Sequence, residues 1–212
     1  MINHPGVFIR NLMSRQKHSL YQAVGWLVIF SLFAPSTSAV SALIKKGEHR
    51  QPLAVPNSSI AVLVDRNYLP ALKDAIDGAK KEITLSFFHF KTKTSNDSYP
   101  DVIMTSLIKA SQRGVKVSVL LEQGRDPGES NTRENIQTME RLRKGGVIVH
   151  LDSSATTTHT KTAVVDGKYT FIGSHNLTQS ALKYNHEISV MIESQQVAAE
   201  ALDYIKSLMP NE

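Results

Sequence analysis

The sequence predicts an α/β fold: a mixed, mostly parallel sheet flanked by helices on both faces. Three observations carry that prediction. From residue 60 onward, short β-branched or aromatic runs alternate with segments of helical period, the pattern of strand–helix–strand units. Hydrophobic residues make up 41% of the 212 and charged residues 20%, a globular balance with enough apolar mass for one core. One stretch, residues 159–174, reads instead as strand, tight turn and strand, which adds antiparallel pairing to the sheet. A single domain is predicted over residues 58–212.

Each element has its own signal. "IAVLV" (60–64) is a buried strand, and "LPALKDAIDGAKKE" (69–82) is a helix with Leu72, Ile76 and Ala79 on one face. "ITLSFFHF" (83–90) is β-branched and aromatic, hence a strand. "PDVIMTSLIKASQRG" (100–114) opens on Pro and closes on Gly, as helices do. "VKVSVLL" (115–121) is a strand, "GRDPGES" (124–130) a loop, "NTRENIQTMERLRKGG" (131–146) a helix with a Gly stop, and "VIVHL" (147–151) a strand. A polar connection at 153–158 leads into "HTKTAVVD" (159–166) and "YTFIGS" (169–174). A short helix near 177–182, the strand "EISVMI" (187–192) and an amphipathic helix at 196–209 complete the pattern.

The first forty residues differ in kind. Arg10, Arg15 and Lys17 are the only formal charges there, followed by the apolar run 20–34 and the small-residue stretch "PSTSA". That order is the signature of a secretory signal, and the run is short for a span of about 20 residues. Residues 1–39 are therefore predicted to be a signal peptide or an N-terminal membrane anchor, with residues 40–57 as a linker. Either alternative implies export, to the periplasm or beyond the cell, and the second implies membrane association through residues 20–34. Of the net charge of +5, three positive charges lie in this leader. The remainder is only mildly basic, which permits nucleic acid or an anionic membrane as partner without requiring either. The chain has no cysteine, which excludes disulfides, thiolate catalysis and a Cys-based zinc site.

The chemistry concentrates in "HTKTAVVDG" (159–167). In a strand, side chains at i and i+2 share a face, so His159 and Lys161 are predicted to point the same way. Ser174 and Asn176 can join them from the hairpin partner if the extended geometry continues. A nucleophile or base, a fixed cation and two neutral hydrogen-bonding groups suit a phosphoryl group, whose non-bridging oxygens they can stabilise. No carboxylate cluster with metal-ligand spacing accompanies them, and neither metal nor cofactor is implied.

"HTKTAVVDG" followed by "GSHN" (173–176) resembles the HxKxxxxDG…GSxN signature of the phospholipase D superfamily, and the pattern from residue 60 to the end resembles one whole domain of that family. "YNHEISVMI" (184–192) resembles the segment that supplies a glutamate, here Glu187. The resemblance implies a phospholipase D-like α/β/α sandwich and a phosphodiesterase whose nucleophile, His159, forms a phosphohistidine. It assigns the catalytic set His159, Lys161, Asp166 and Glu187. Lys161, Ser174 and Asn176 would hold the phosphate oxygens, and Glu187 would orient the imidazole. Asp166 is better suited, at the strand end, to bracing the motif and its turn. His175, in the variable position, is expected to point away from the phosphate.

The family mechanism uses two facing histidines, one attacking and one protonating the leaving oxygen, and only one complete motif is present. A homodimer with the active site on its two-fold axis supplies the second. "HFKTKTSND" (89–97) has the H-x-K part, but its aspartate falls at +8 rather than +7 and no GSxN follows. His89 and Lys91 are therefore read as groups of the pocket rim. The substrate expected first is DNA or RNA, cleaved by an exported endonuclease. The alternative is a phospholipid whose headgroup ester is cleaved. A phosphate-binding module without activity is disfavoured by the completeness of the residue set.

Overall fold

A computed structural model describes residues 58–93, 98–126, 128–153 and 155–210. The leader and linker expected at 1–57 lie outside the described residues. Within them the order is β1 (Ser59–Val64), α1 (Tyr68–Gly78), β2 (Glu82–Phe87), α2 (Tyr99–Gln112), β3 (Lys116–Leu121), α3 (Ser130–Lys144), β4 (Ile148–Leu151), β5 (Lys161–Val165), β6 (Tyr169–Gly173), α4 (Gln179–Lys183), β7 (Ile188–Glu193) and α5 (Gln195–Leu208). A single 3-10 turn, Asp65–Asn67, joins β1 to α1. Among the described residues, no helix is long and apolar enough to cross a membrane.

The seven strands form one mixed sheet in the order β1-β7-β6-β5-β2-β3-β4. The mixed sheet is as expected, but the parallel majority expected of it is not found. Only β2–β3 and β3–β4 pair in parallel, and the other four ladders are antiparallel. A parallel pair needs a crossover that returns the chain to the same edge, and only α2 and α3 connect sheet neighbours in that way. The β1–α1–β2 segment, which reads as another such unit, instead crosses to a position that β7, β6 and β5 later separate from β1.

Alternation along the strands divides the core between two faces. Ile83, Leu85, Phe87, Val117, Val119, Ala163, Val165 and Phe171 pack with Leu72 and Ile76 of α1, Ile103 and Leu107 of α2 and Leu142 of α3. On the opposite face Leu120 and Val164 meet Ala198, Leu202 and Ile205 of α5. Burial of each such large apolar side chain contributes about 1.5–3 kcal/mol. The two C-terminal helices carry side-chain N-caps. Thr178 accepts the Ala181 N–H at 3.2 Å, and Ser194 the Val197 N–H at 3.3 Å.

Three boundaries differ from the sequence expectation, each for a local reason. Helix α1 stops at Gly78 because the amides of Lys80, Lys81 and Glu82 bind the carboxylate of Asp166. Strand β2 stops at Phe87, and beyond it the backbone finds other partners. The Phe88 N–H goes to the Thr160 carbonyl at 2.8 Å and the Phe90 N–H to Asn135 Oδ1 at 2.9 Å. Strand β5 begins only at Lys161, so His159 and Thr160 lie in the loop before it.

Candidate active site

The carboxyl ends of β1, β2, β3, β4 and β6 and the amino ends of β5 and β7 lie at one edge of the sheet, as their pairing registers require. Ligands of open α/β sheets bind beyond the carboxyl ends of strands, and the predicted chemical groups collect at this edge. After β6 the chain passes across the start of β5. Leu177 N–H bonds the His89 carbonyl at 3.0 Å and Lys91 N–H bonds the Leu177 carbonyl at 3.0 Å. Residues 88–91, 159–161 and 174–177 are thereby laced into one framework.

Phe88 organises the first pair of functional groups. The His159 ring lies 4.6 Å from the Phe88 ring, centroid to centroid, and Lys161 Nζ lies 5.1 Å from the same centroid. His159 and Lys161 are thus together, though not by the strand alternation expected of them, since His159 precedes the strand. Lys161 is only 8% exposed, and its Nζ donates to the His159 carbonyl at 2.9 Å. Burial pulls the Lys161 ammonium below its usual range, and the Glu187 carboxylate opposes that pull. His159 is exposed, and among the described residues its ring has no hydrogen-bond partner. Burial by its neighbours, then the Lys161 charge, holds its pKa below that of an ordinary imidazole. A free-base imidazole presented to solvent beside a fixed cation is competent to attack an electrophilic phosphorus.

The second pair comes from the strand-end alternation at 173–176. His175 is fully buried and stacks on Tyr68 with centroids 4.3 Å apart. Its Nε2 bonds the Asp65 carbonyl at 2.9 Å and its Nδ1 bonds Ser189 Oγ at 2.7 Å. Its inward direction, as expected, sends Ser174 the other way, to the surface. Ser174 Oγ donates to Glu187 Oε2 and accepts the Ile188 N–H at 3.1 Å. Asn176 Oδ1 is buried with no hydrogen-bond partner among the described residues, so this amide has capacity for a ligand. Gly173 is required by a close approach. A Cβ there would lie 2.4 Å from Ser189 Cα, a backbone atom that cannot swing away.

Glu187 is in the site but not in the contact expected of it. Its carboxylate takes the Ser174 hydroxyl on one oxygen and Asn185 Nδ2 at 3.0 Å on the other, and it makes no hydrogen bond to His159. Asp65, which sequence reasoning missed, fixes the Glu187 backbone. Asp65 Oδ1 accepts the Glu187 N–H at 2.8 Å, and the Asp65 N–H reaches the Glu187 carbonyl at 2.9 Å. Asp65 is held at φ +50°, a region uncommon outside glycine. An acidic residue directly after an apolar strand was the only available sign of it.

Asp166 is where the structure departs from the catalytic set. It lies past the last residue of β5, while Lys161 is the first and His159 comes before it, so a strand length separates it from the imidazole. Its oxygens accept the amides of Lys80 at 2.9 Å, Lys81 at 2.8 Å and Glu82 at 3.1 Å. Asp166 and Gly167 have φ of +55° and +61°, and Lys168 N–H closes the turn on the Val165 carbonyl at 3.0 Å. The residue ties the hairpin to the loop before β2 and touches no group of the site. His89 and Lys91 converge on Glu134 of α3, at 2.7 and 2.5 Å. Lys91 pairs with Glu134 as an ion and His89 as a hydrogen-bonding ring, whose burial holds it below the ordinary imidazole range.

Beside His159 opens a cleft of about 580 Å³ between residues 152–159 and the end of α5, lined by Thr156, Thr157, Thr158, Tyr204 and Ser207 among others. Leu208, Met209 and Pro210 share the lining with these hydroxyl groups.

These features match known proteins in sequence and in shape. The family model described as "Cardiolipin synthase, PLD-like domain" matches residues 72–209. The phospholipase D of Rickettsia typhi is 35% identical over 101 residues, which are 48% of this chain and 47% of that protein. The chain spans about half the length of the curated relatives it matches. Among solved structures, Nuc from Salmonella typhimurium, a phospholipase D family member, superimposes with a TM-score of 0.61 at 24% identity, covering 72% of this chain and 94% of Nuc. NucT from Helicobacter pylori gives 0.57 at 18% identity, covering 72% and 96%. The protein belongs to this PLD-like domain family of the phospholipase D superfamily, a class of phosphodiesterases.

Proposed function

We propose that the protein is a phosphodiester hydrolase that works through a phosphohistidine at His159, without a metal, on DNA or RNA. The observation that carries this is the His159 ring itself: exposed, free of hydrogen bonds and held in the neutral form beside buried Lys161. In the first step Nε2 of His159 attacks phosphorus and the P–O bond to the leaving group breaks. Lys161 and the Asn176 Nδ2 donate to the non-bridging oxygens as charge builds on them, and Ser174 joins them by turning its hydroxyl from Glu187 to the phosphate. The leaving oxygen takes its proton from a second imidazole. That imidazole starts as the imidazolium and is left neutral; it then deprotonates a water whose oxygen bonds to phosphorus as the P–N bond breaks, which frees the phosphomonoester and His159. Glu187 holds the Ser174 hydroxyl in the free protein and favours the charged form of Lys161.

The second imidazole is His159 of the partner subunit in a homodimer. What supports this is an apolar strip on the sheet face that α5 leaves open, directly beside the site. Ile60, Val62 and Val64 of β1 and Ile188 of β7 are 46–63% exposed there, and Ile172 of β6 adjoins them. Contiguous exposed apolar patches of this kind mark interaction surfaces. Export through the segment before residue 40 belongs to the same reading.

Nucleic acid is preferred because one side of the cleft beside His159 offers the hydroxyls of Thr156, Thr157, Thr158 and Ser207 to a polar backbone. The phospholipid reading has in its favour the names of the Rickettsia relatives and the description of the matching family model, "Cardiolipin synthase, PLD-like domain". The test is to incubate the purified protein with plasmid DNA, RNA and phosphatidylcholine vesicles in excess chelator. Nucleic acid cleavage with label trapped on His159 supports the first reading, and vesicle cleavage alone replaces it with the second. Activity that chelator abolishes would overturn the metal-free mechanism.

A further inference from the structure

A second pair of acidic groups lies directly behind the nucleophile. Strands β3 and β4 run in parallel with Leu121 opposite Leu151, so the next residues of each, Glu122 and Asp152, emerge side by side. Both are acidic and both are buried, at 2% and 6% exposure. Two like charges at adjacent buried positions are costly unless a proton is shared. Glu122 Oε2 accepts the backbone N–H of Thr158 at 2.6 Å, and Thr158 precedes His159. Asp152 Oδ1 accepts the Gln123 N–H at 2.7 Å, while Asp152 Oδ2 is buried without a donor. A proton on Glu122 is the donor that this oxygen lacks.

We propose that Glu122 keeps a proton directed at Asp152 and that the two act as a positioning pair, which holds the Thr157–Thr158 peptide and through it sets His159 for attack. This rests on His159 being the nucleophile. Neither carboxyl touches the reacting atoms, so their effect passes through the backbone. His159 lies in a loop that begins after β4. Arg125 bonds the Ala155 carbonyl at 3.1 Å, and Phe88 N–H bonds the Thr160 carbonyl. The Thr158–Glu122 bond anchors the residue just before the imidazole, while the Lys161 bond to the His159 carbonyl and the Ser86–Thr160 hydroxyl bond hold the chain at and after it.

The pair also ties the loop to pH. Burial, then the hydrogen bond with Asp152, pushes Glu122 up to about 7, against the Thr158 amide, which favours the charged form. Of the groups that face it, Glu129 from the turn before α3 adds a further negative charge, Asn135 of α3 is neutral and bonds the Glu122 carbonyl at 2.9 Å, and Thr158 is neutral. Arg125 is committed to Ala155. A raised carboxyl contributes no cost below the ordinary glutamate range and its full cost above the folded pKa. As pH rises through about 7 Glu122 ionises: the Thr158 amide favours that form, but the proton directed at Asp152 is lost and the facing carboxylates repel, so the clamp loosens through the displacement of Glu122 that this repulsion drives.

The experiment is amide hydrogen exchange over residues 153–160 in the full chain, from one side of neutrality to the other, corrected for intrinsic exchange, with kcat and KM measured in parallel. Wild type is expected to lose protection at Thr158 on the alkaline side, with kcat falling and KM steady. Glu122→Gln carries a permanent donor toward Asp152 and still accepts from Thr158, so its protection and kcat should not change across that range. Glu122→Ala should lose protection at every pH, with kcat reduced roughly tenfold or more. Protection that is flat across neutrality in wild type, or that Glu122→Gln loses in step with wild type, would overturn the proposal. If no substrate is cleaved, the exchange measurement still reads the clamp, so a failure of the enzymatic reading is told apart from a failure of this one.

Discussion

The two ends of strand β5 belong to one sequence motif and do opposite things. At the entry end, His159 is exposed, its ring has no hydrogen-bond partner among the described residues, and Lys161 beside it is a buried cation. At the exit end, Asp166 has its carboxylate filled by the amides of Lys80, Lys81 and Glu82. A group whose bonding capacity is saturated by the protein has none left for a substrate. A group left without protein partners and open to solvent keeps that capacity. The spacing of the motif therefore measures the length of a strand: reactive groups at one end, and at the other the brace that holds the hairpin in place. The comparison can be broken at either end, and the expected effects on activity differ by orders of magnitude.

The largest effect is expected from His159→Asn, which removes the nucleophile while keeping a polar side chain of similar reach. Turnover should fall by about 10³-fold or more, with thermal stability unchanged, because the ring makes no hydrogen bond that the fold depends on. Residual turnover near wild type would show that another group attacks, and the contrast between the ends of β5 would lose its chemical meaning.

An intermediate effect is expected from Lys161→Gln. The ammonium binds phosphate oxygens in the proposed mechanism, so kcat/KM should fall by about 10²-fold. The second consequence has a definite sign. Lys161 helps to hold His159 below the ordinary imidazole range. Removing the cation raises the His159 pKa, so the acid limb of the kcat/KM profile must move to higher pH. Burial is the larger cause of the depression and remains in the variant, so the limb should not return fully to that of a free imidazole. A limb that stays in place would mean that it reports some other group.

Much of this arrangement was legible in the sequence, for reasons that particular residues make clear. Alternation at 173–176 gave the directions of Ser174, His175 and Asn176, because a strand end imposes period two whatever surrounds it. The incomplete repeat at His89 and Lys91 was set apart from the motif because its spacing did not fit, and both side chains turn to Glu134. The parallel bias of the sheet was misjudged because hydrophobic runs report that a strand is buried and not which neighbour it pairs with. The association of His159 with Lys161 was expected for a reason that does not hold. Phe88, 71 residues earlier in the chain, gathers both, and a contact at that separation leaves no periodic trace. Asp65 and the pair Glu122 and Asp152 escaped notice for the same reason: each is one acidic residue after an apolar strand, and its partner is set by the register of the sheet.

The smallest effect on activity is expected at the exit end, from Asp166→Asn. The amide oxygen accepts fewer and weaker bonds than a carboxylate, and its NH₂ faces amides that are themselves donors. The loss of charge-assisted bonds to three amides should lower stability by about 1.5–3 kcal/mol, read as a drop in the denaturant midpoint. Turnover per folded molecule should stay within about twofold of wild type, far from the His159 result. The pH dependence of the loss separates an electrostatic brace from mere packing. Burial raises the Asp166 pKa, but the amide bonds outweigh it and leave the carboxyl below its ordinary value. A depressed carboxyl contributes stability that is present above the unfolded pKa and disappears as pH falls through the folded one. The gap between wild type and Asp166→Asn should therefore be widest near neutrality and close in acid. A gap that persisted undiminished in acid would assign the brace to shape, and a large loss of turnover at neutral pH would return Asp166 to the catalytic set.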